Sequence, residues 1–297
     1  MEKEISLRYG GINAKVGSLL VNRLLPHKQV HSVGPFVFLD HLYPTIQKPK
    51  TPQSPNGKFA HPHRGISTFT CVLSGEMEHF DSRGNHGIVS AGGVQWMKGG
   101  SGILHDEGIS PTFQQAGGWL HVLQFWINLP AKNKNDEPEY LSVQADEIPE
   151  IILSGDAGKL RILIGSFGIN HSPVKTQSEQ FLYHIRLNPK STFTLNTKAN
   201  YEYAAFVPTD EVKINSSFFS NSELIIFEQD EGDIVFRNNN ISDTDIIVFG
   251  GEPYSEAIVA EGPFVMNNGL EICEAYKDFH LGKYGTINYQ IKAINNT

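Results

Sequence analysis

Disulfide frameworks, membrane spans and a basic face are all missing from this 297-residue chain. Cys71 and Cys273 are its only cysteines, too few to staple a small secreted domain. The opening Met-Glu-Lys-Glu-Ile-Ser-Leu-Arg has no apolar signal core. No uninterrupted apolar run approaches the roughly 20 residues that cross a bilayer. Lys and Arg number 24 against 32 Asp and Glu, a net charge of −8, and they are dispersed. That balance argues against direct nucleic-acid contact and against an anionic-membrane patch. Helical periodicity is scarce, and 28 Gly with 16 Pro speak against a helical bundle. No Gly-x-Ser-x-Gly elbow occurs, so a serine-hydrolase reading has no support. Gly99-Gly100-Ser101-Gly102 lacks the Lys-Ser/Thr ending of a phosphate cradle. The expectation is an acidic, soluble, cytoplasmic protein with no nucleic-acid or membrane partner.

What the chain does have is strand signal. Short apolar or β-branched runs at residues 36–39, 67–73, 122–129, 161–164 and 181–187 are punctuated by Gly, Asn, Asp and Pro. The series continues at 203–207, 224–227, 234–236 and 246–249. Many short strands at this spacing predict an all-β sandwich or barrel. The exception lies near the end, where Leu270, Cys273 and Lys277 trace one side of a helix and Ile272, Tyr276 and Phe279 recur at i, i+4, i+7. Asn267 or Asn268 could cap its start and Gly282 could end it. The polar stretch 130–139, with Pro at both sides, reads as a linker between two β-rich halves. Residues 43–58 carry four prolines and read as a long loop ahead of the chemically richest segment.

Histidine is unevenly used. His61-Pro-His63 places two imidazoles on one side of an extended chain, an arrangement that suits a metal. His105-Asp-Glu107 repeats the i, i+2 geometry with one imidazole and one carboxylate. An isolated His-x-His is more often a surface feature, but the two pairs together offer three neutral nitrogens and a carboxylate. That set suits a divalent first-row metal with open positions for reactants. Trp96, Met97, Phe80 and Phe125, with Phe36 ahead of the Pro-rich loop, could line an aromatic cleft or simply fill a core. His79 and His86 read as surface groups on a hairpin turn, His41 and His121 as structural, and Cys71 as a buried, inert thiol.

In these motifs the chain resembles the cupin superfamily. His61, His63 and Gly75 match the first cupin motif, with Thr68 where a glutamate is usual. Gly100-Ser101-Gly102-Ile103-Leu104-His105 matches the second, and the missing carboxylate returns as Glu107. That exchange marks the pirin variant. The resemblance extends through residues 34–41, 59–65, 92–97, 99–107, 250–253 and 262–267. It implies a bicupin, two tandem jelly-roll-like β-barrels with a short C-terminal helix. The expected division is a metal-bearing barrel at 1–130, a linker at 131–140 and a metal-free barrel at 141–297. The resemblance implies His61, His63, His105 and Glu107 as ligands, with Glu107 also the catalytic base. The expected cofactor is Fe(II), with Mn, Co, Ni, Cu or Zn as other occupants. The implied activity is cleavage of quercetin-like flavonols by O2 with release of carbon monoxide. The other reading is a non-enzymatic, redox-sensing regulator that acts through a protein partner.

Overall fold

The computed structural model describes residues 1–290 except 18 and 54. Short strands dominate, and α-helix among the described residues is confined to α1 (Pro111–Ala116) and α2 (Gly269–His280). No described helix is long and apolar enough to cross a membrane. Contacts group the chain into two compact units. One comprises residues 1–14, 22–38 and 148–254, the other residues 15–21, 39–147 and 255 onward.

This grouping differs from a single cut at residues 131–140, for a reason visible in the strand pairing. Ile5–Gly10 runs antiparallel to Glu223–Phe227, so the chain's beginning is built into the sheet formed by its later half. The end of the chain does the converse. The hairpin Val259–Glu261 and Phe264–Met266 meets Arg64 through a bridge at Phe264, and Arg64 Nη1 donates to Asp278 of α2 at 2.9 Å. The stretch expected to be a linker is packed as well, with Lys134 almost fully buried.

The histidine-bearing unit includes the strands β1 (His61–His63), β2 (Ile66–Ser74), β3 (Glu76–Asp81), β4 (His86–Ser90), β5 (Val94–Lys98), β6 (Ile103–Ile109), β7 (Gly118–Asn128) and β8 (Glu139–Val143). Strands β8, β5, β2 and β7 lie side by side in one sheet, and β1, β6, β3 and β4 in another. Register decides which side chains meet. Thr70 opposes Gln124 and Gln95, and Thr68 opposes Trp126 and Met97, so these six share one face. Phe69, Cys71, Trp96, Leu123 and Phe125 occupy the other face. In the second sheet His79 opposes Glu107, and His105 opposes both Asp81 and His61. Thr70 and Gln95 hydrogen-bond to Glu107, so the two polar faces look at each other across the barrel interior. Beside this polar chamber the interior is an apolar plug of Val72, Met77, Val89, Leu120 and Val122. Each such side chain contributes about 1.5–3 kcal/mol when taken out of water. The plug can therefore hold the barrel while the chamber remains polar.

The C-terminal helix forms where the periodicity predicts it. Asn268 caps it by accepting from the Glu271 amide, and its buried Ile272 and Ala275 pack with Phe264, Met266 and Tyr284. The other unit pairs Gly158–Ile164, Gln180–Leu187, Thr244–Gly251, Glu202–Phe206 and Glu223–Phe227 into a sheet. Its interior is filled by apolar side chains such as Leu160, Ile185, Ile225, Phe236 and Val248.

Candidate metal centre

β1 and β6 pair antiparallel with His61 opposite His105, which sets three imidazoles around one point. His61 Nε2 and His105 Nε2 are 3.0 Å apart, and the His63 ring centroid lies 4.8 Å from that of His61 and 4.9 Å from that of His105. The sharp turn after His63 needs glycine. Gly65 has φ +79°, and a Cβ there would lie 2.0 Å from the Val265 carbonyl oxygen.

The outer nitrogens of two histidines are assigned by their neighbours. His61 Nδ1 faces the Phe59 carbonyl at 2.8 Å, and His63 Nδ1 faces the Pro263 carbonyl at 3.1 Å. A carbonyl only accepts, so each Nδ1 carries the hydrogen and each Nε2 keeps a lone pair for the chamber. The buried Nδ1 of His105 finds no partner among the described residues. Burial, and after it the adjacent His61, hold the pKa of His63 well below the usual imidazole range. His105 is depressed in the same way by burial and then by His61, His63 and His79. Neutral, inward-facing imidazoles are the protonation state that metal ligation requires, so the residues fit a divalent transition metal. His61 is exposed while His63 and His105 are buried, so the chamber has one solvent-facing side.

Glu107 stands beside the trio rather than inside it. The three histidines form one group of closely spaced donor atoms, and His79, His105 and Glu107 form a second that shares His105. Glu107 Oε1 accepts from Thr70 Oγ1 at 3.0 Å and from Gln95 Nε2 at 2.5 Å.

His79 corrects a surface expectation. It is fully buried, its Nε2 lies 3.2 Å from Asp81 Oδ2, and its Nδ1 is 4.0 Å from Glu107 Oε1. The turn begins only after Asp81, whose Oδ1 accepts from the amides of Arg83 and Asn85. Residues 77–81 are therefore strand, and their alternation turns His79 and Asp81 inward. That alternation was the available signal. His86 is buried too, stacked on Phe80 at 3.8 Å and paired with Glu78 at 2.8 Å. His41 and His121 meet through their Nε2 atoms at 2.8 Å in a buried pair, as a structural role requires.

The aromatic candidates separate by strand parity. Met97 faces the chamber. Trp96 and Phe125 lie on the opposite face of their sheet, and Phe80 alternates away from His79. Phe36 packs edge-on against Phe249 at 5.1 Å, within the other unit. These four therefore serve packing and do not line the chamber. The residue missed in sequence is Trp126, which shares the face of Thr68 and meets His63 edge-on at 5.0 Å.

Comparison with known proteins agrees with this geometry. The pirin family model matches residues 18–127, and the model of the pirin C-terminal cupin domain matches residues 182–285. A Pseudomonas aeruginosa protein provisionally named a quercetin 2,3-dioxygenase is 34% identical over 252 residues, covering 85% of this chain and 87% of its own. The crystal structure of a quercetin 2,3-dioxygenase from Acinetobacter baumannii superposes with a TM-score of 0.89 at 31% identity, covering 97% of this chain and all of that one. A bacterial pirin of Escherichia coli, solved in complex with nickel(II), shares the fold with a TM-score of 0.63 at 21% identity, over 84% of this chain and all of that one. The chain belongs to the pirin family and has its bicupin fold.

Proposed function

We propose that this pirin-family chain is a metal-dependent dioxygenase that cleaves quercetin-like flavonols with O2 and releases carbon monoxide. The observation that carries this reading is the convergence of His61, His63 and His105, three imidazole nitrogen donors, with one carboxylate alongside. Such a set suits Fe(II) first, with Mn, Co, Ni, Cu or Zn as other occupants. When bound, the metal would supply Lewis acidity and a template for the flavonol oxygen and O2. The three histidines would hold it through Nε2. Glu107 would complete the ligand set, and its carboxylate would be the base that takes the proton of the flavonol 3-hydroxyl. Trp126 and Met97 give the flat rings an apolar wall on the chamber side of their sheet. The names of the Pseudomonas and Acinetobacter relatives support a small aromatic substrate with O2.

The test is dioxygen consumption with quercetin, using protein loaded separately with each divalent metal and a His63→Ala control. Uptake coupled to flavonol loss and carbon monoxide release, absent in the control, is the expected result. No uptake above control at confirmed metal content would refute the flavonol reading and turn the search to protein partners sensitive to the metal's oxidation state.

A further inference from the structure

We infer that Gln95 and Thr70 are positioning residues that clamp one carboxylate oxygen of Glu107, so that this side chain presents only its other oxygen to a cation held by His61, His63 and His105. The inference rests on the metal-binding part of the proposed function and is independent of the flavonol.

Both donors converge on the same atom. Gln95 Nε2 reaches Glu107 Oε1 at 2.5 Å and Thr70 Oγ1 reaches it at 3.0 Å. Thr70 and Gln95 are cross-strand partners, so the sheet fixes their separation. The Gln95 amide cannot turn round without loss. Its Oε1 accepts from the Tyr140 hydroxyl at 3.1 Å, which leaves the NH2 edge for Glu107. Tyr140 is itself held, its ring stacked on His79 at 4.2 Å and 7°. Its hydroxyl occupies space that only glycine leaves open, since a Cβ on Gly87 would lie 2.2 Å from it. Burial, and then the charge of Glu107, push the Tyr140 pKa up, so the phenol stays a donor.

Thr70 has one hydrogen and two claimants, because Gln124 Oε1 lies 2.8 Å from the same hydroxyl. Turning over the terminal amide of Gln124 would let its NH2 donate to the threonine oxygen and leave the hydroxyl hydrogen for Glu107. His79 Nδ1 lies 4.0 Å from Glu107 Oε1, beyond hydrogen-bond reach, so the clamp falls to Gln95 and Thr70. A loose carboxylate can bind a cation through both oxygens and fill two coordination positions. A clamped one fills one and leaves the next position for an exchangeable ligand.

The test uses the full chain loaded with Co(II), with Gln95→Leu, Thr70→Val and Thr70→Ser. Affinity is read by competition with a chromophoric chelator, coordination by the visible absorption of bound Co(II), and folding by melting of the metal-free proteins. Gln95→Leu and Thr70→Val are expected to weaken Co(II) binding about 10- to 100-fold and lower its molar absorption, while Thr70→Ser stays within about threefold of wild type. Unchanged affinity and spectrum in Gln95→Leu and Thr70→Val would overturn the clamp, as would a Thr70→Ser variant as impaired as Thr70→Val. A wild-type chain that takes up no Co(II) would overturn the metal reading and the clamp with it. Uptake by wild type with indifferent variants overturns the clamp alone.

Discussion

Lys134→Met tests how far the histidine-bearing unit depends on a residue that looks expendable in sequence. Lys134 is 1% exposed. Its ammonium donates to the Gly65 carbonyl at 2.9 Å, Asn128 Oδ1 at 2.6 Å and the Val265 carbonyl at 2.8 Å. These acceptors belong to the turn after His63, the end of β7 and the C-terminal hairpin. Burial pulls the lysine pKa down to about 8, although Glu256 and Glu271 act to raise it. Set against its ordinary value near 10.5, the fold holds the charged amine about 3 kcal/mol less well than water does. Methionine removes that penalty but strips the donor from three buried oxygens, at about 1–3 kcal/mol each. The net expectation at pH 7 is a loss of about 3 kcal/mol. The sign of the pH dependence follows from linkage. Between pH 8 and 10.5 the unfolded chain binds a proton that the folded chain does not, so wild type gains stability as pH rises, and the methionine variant lacks this gain. The gap should widen by about 2 kcal/mol between pH 8 and pH 9.5. Urea denaturation followed by tryptophan fluorescence measures both numbers. A gap below about 1 kcal/mol at pH 7, or one that stays constant or narrows with rising pH, would refute the assignment.

Gly87→Ala pushes a methyl against the Tyr140 hydroxyl and should cost about 1–3 kcal/mol, with part of the loss recovered by adding Tyr140→Phe. Thermal melts of the two single variants and the double variant decide, and strictly additive losses would contradict the contact. His41 should make the protein acid-labile. Burial, and then His121, pull its pKa down to about 3, so below pH 6.5 the unfolded chain takes up a proton that the fold refuses. Stability then falls by about 1.4 kcal/mol per pH unit, or about 2 kcal/mol at pH 5, and a His41→Gln variant should show a flatter slope in denaturation at pH 7 and pH 5. Trp126→Leu should raise the KM for a flavonol about 3- to 10-fold with a smaller change in kcat, whereas Trp96→Leu should lower the melting temperature and leave KM alone. Equal KM effects from both would contradict the division of faces.

The strands that carry the histidine trio were readable because the pairing is local there. His61 and His63 are two residues apart, as are His105 and Glu107, and period-two alternation alone turns each pair to one side. The C-terminal helix was readable for the same reason, since its cap and its periodicity lie within one short segment. The aromatic wall was not. Phe125 and Trp126 are neighbours in sequence and equally apolar, yet one opposes Phe69 and packs outward while the other opposes Thr68 and meets His63. Only cross-strand register separates them, and composition carries no register. His79 failed in the opposite direction, because polar neighbours at residues 81–85 made a strand look like a turn.

The support behind the histidine trio was further out of reach, and distance along the chain explains why. The carbonyl facing His63 Nδ1 belongs to Pro263, 200 residues later, and a backbone oxygen has no side-chain signature at all. Lys134 carries the opposite disguise, since a lysine among asparagines and prolines reads as solvated linker unless its acceptors are known. Both act on the same turn. Gly65 approaches Val265 so closely that no side chain fits between them, and Lys134 joins the carbonyls of both residues. The hairpin at 259–266 is thus joined to the turn after His63 by backbone contacts that many side-chain substitutions would preserve. A substitution that disturbs that backbone, such as Gly65→Ala, should weaken Co(II) binding although it replaces none of the proposed ligands. The cause is steric, so restoring a hydrogen bond elsewhere would not rescue it. Chelator competition on Gly65→Ala checks this, and wild-type affinity in a folded variant would show that His63 is oriented by β1 alone.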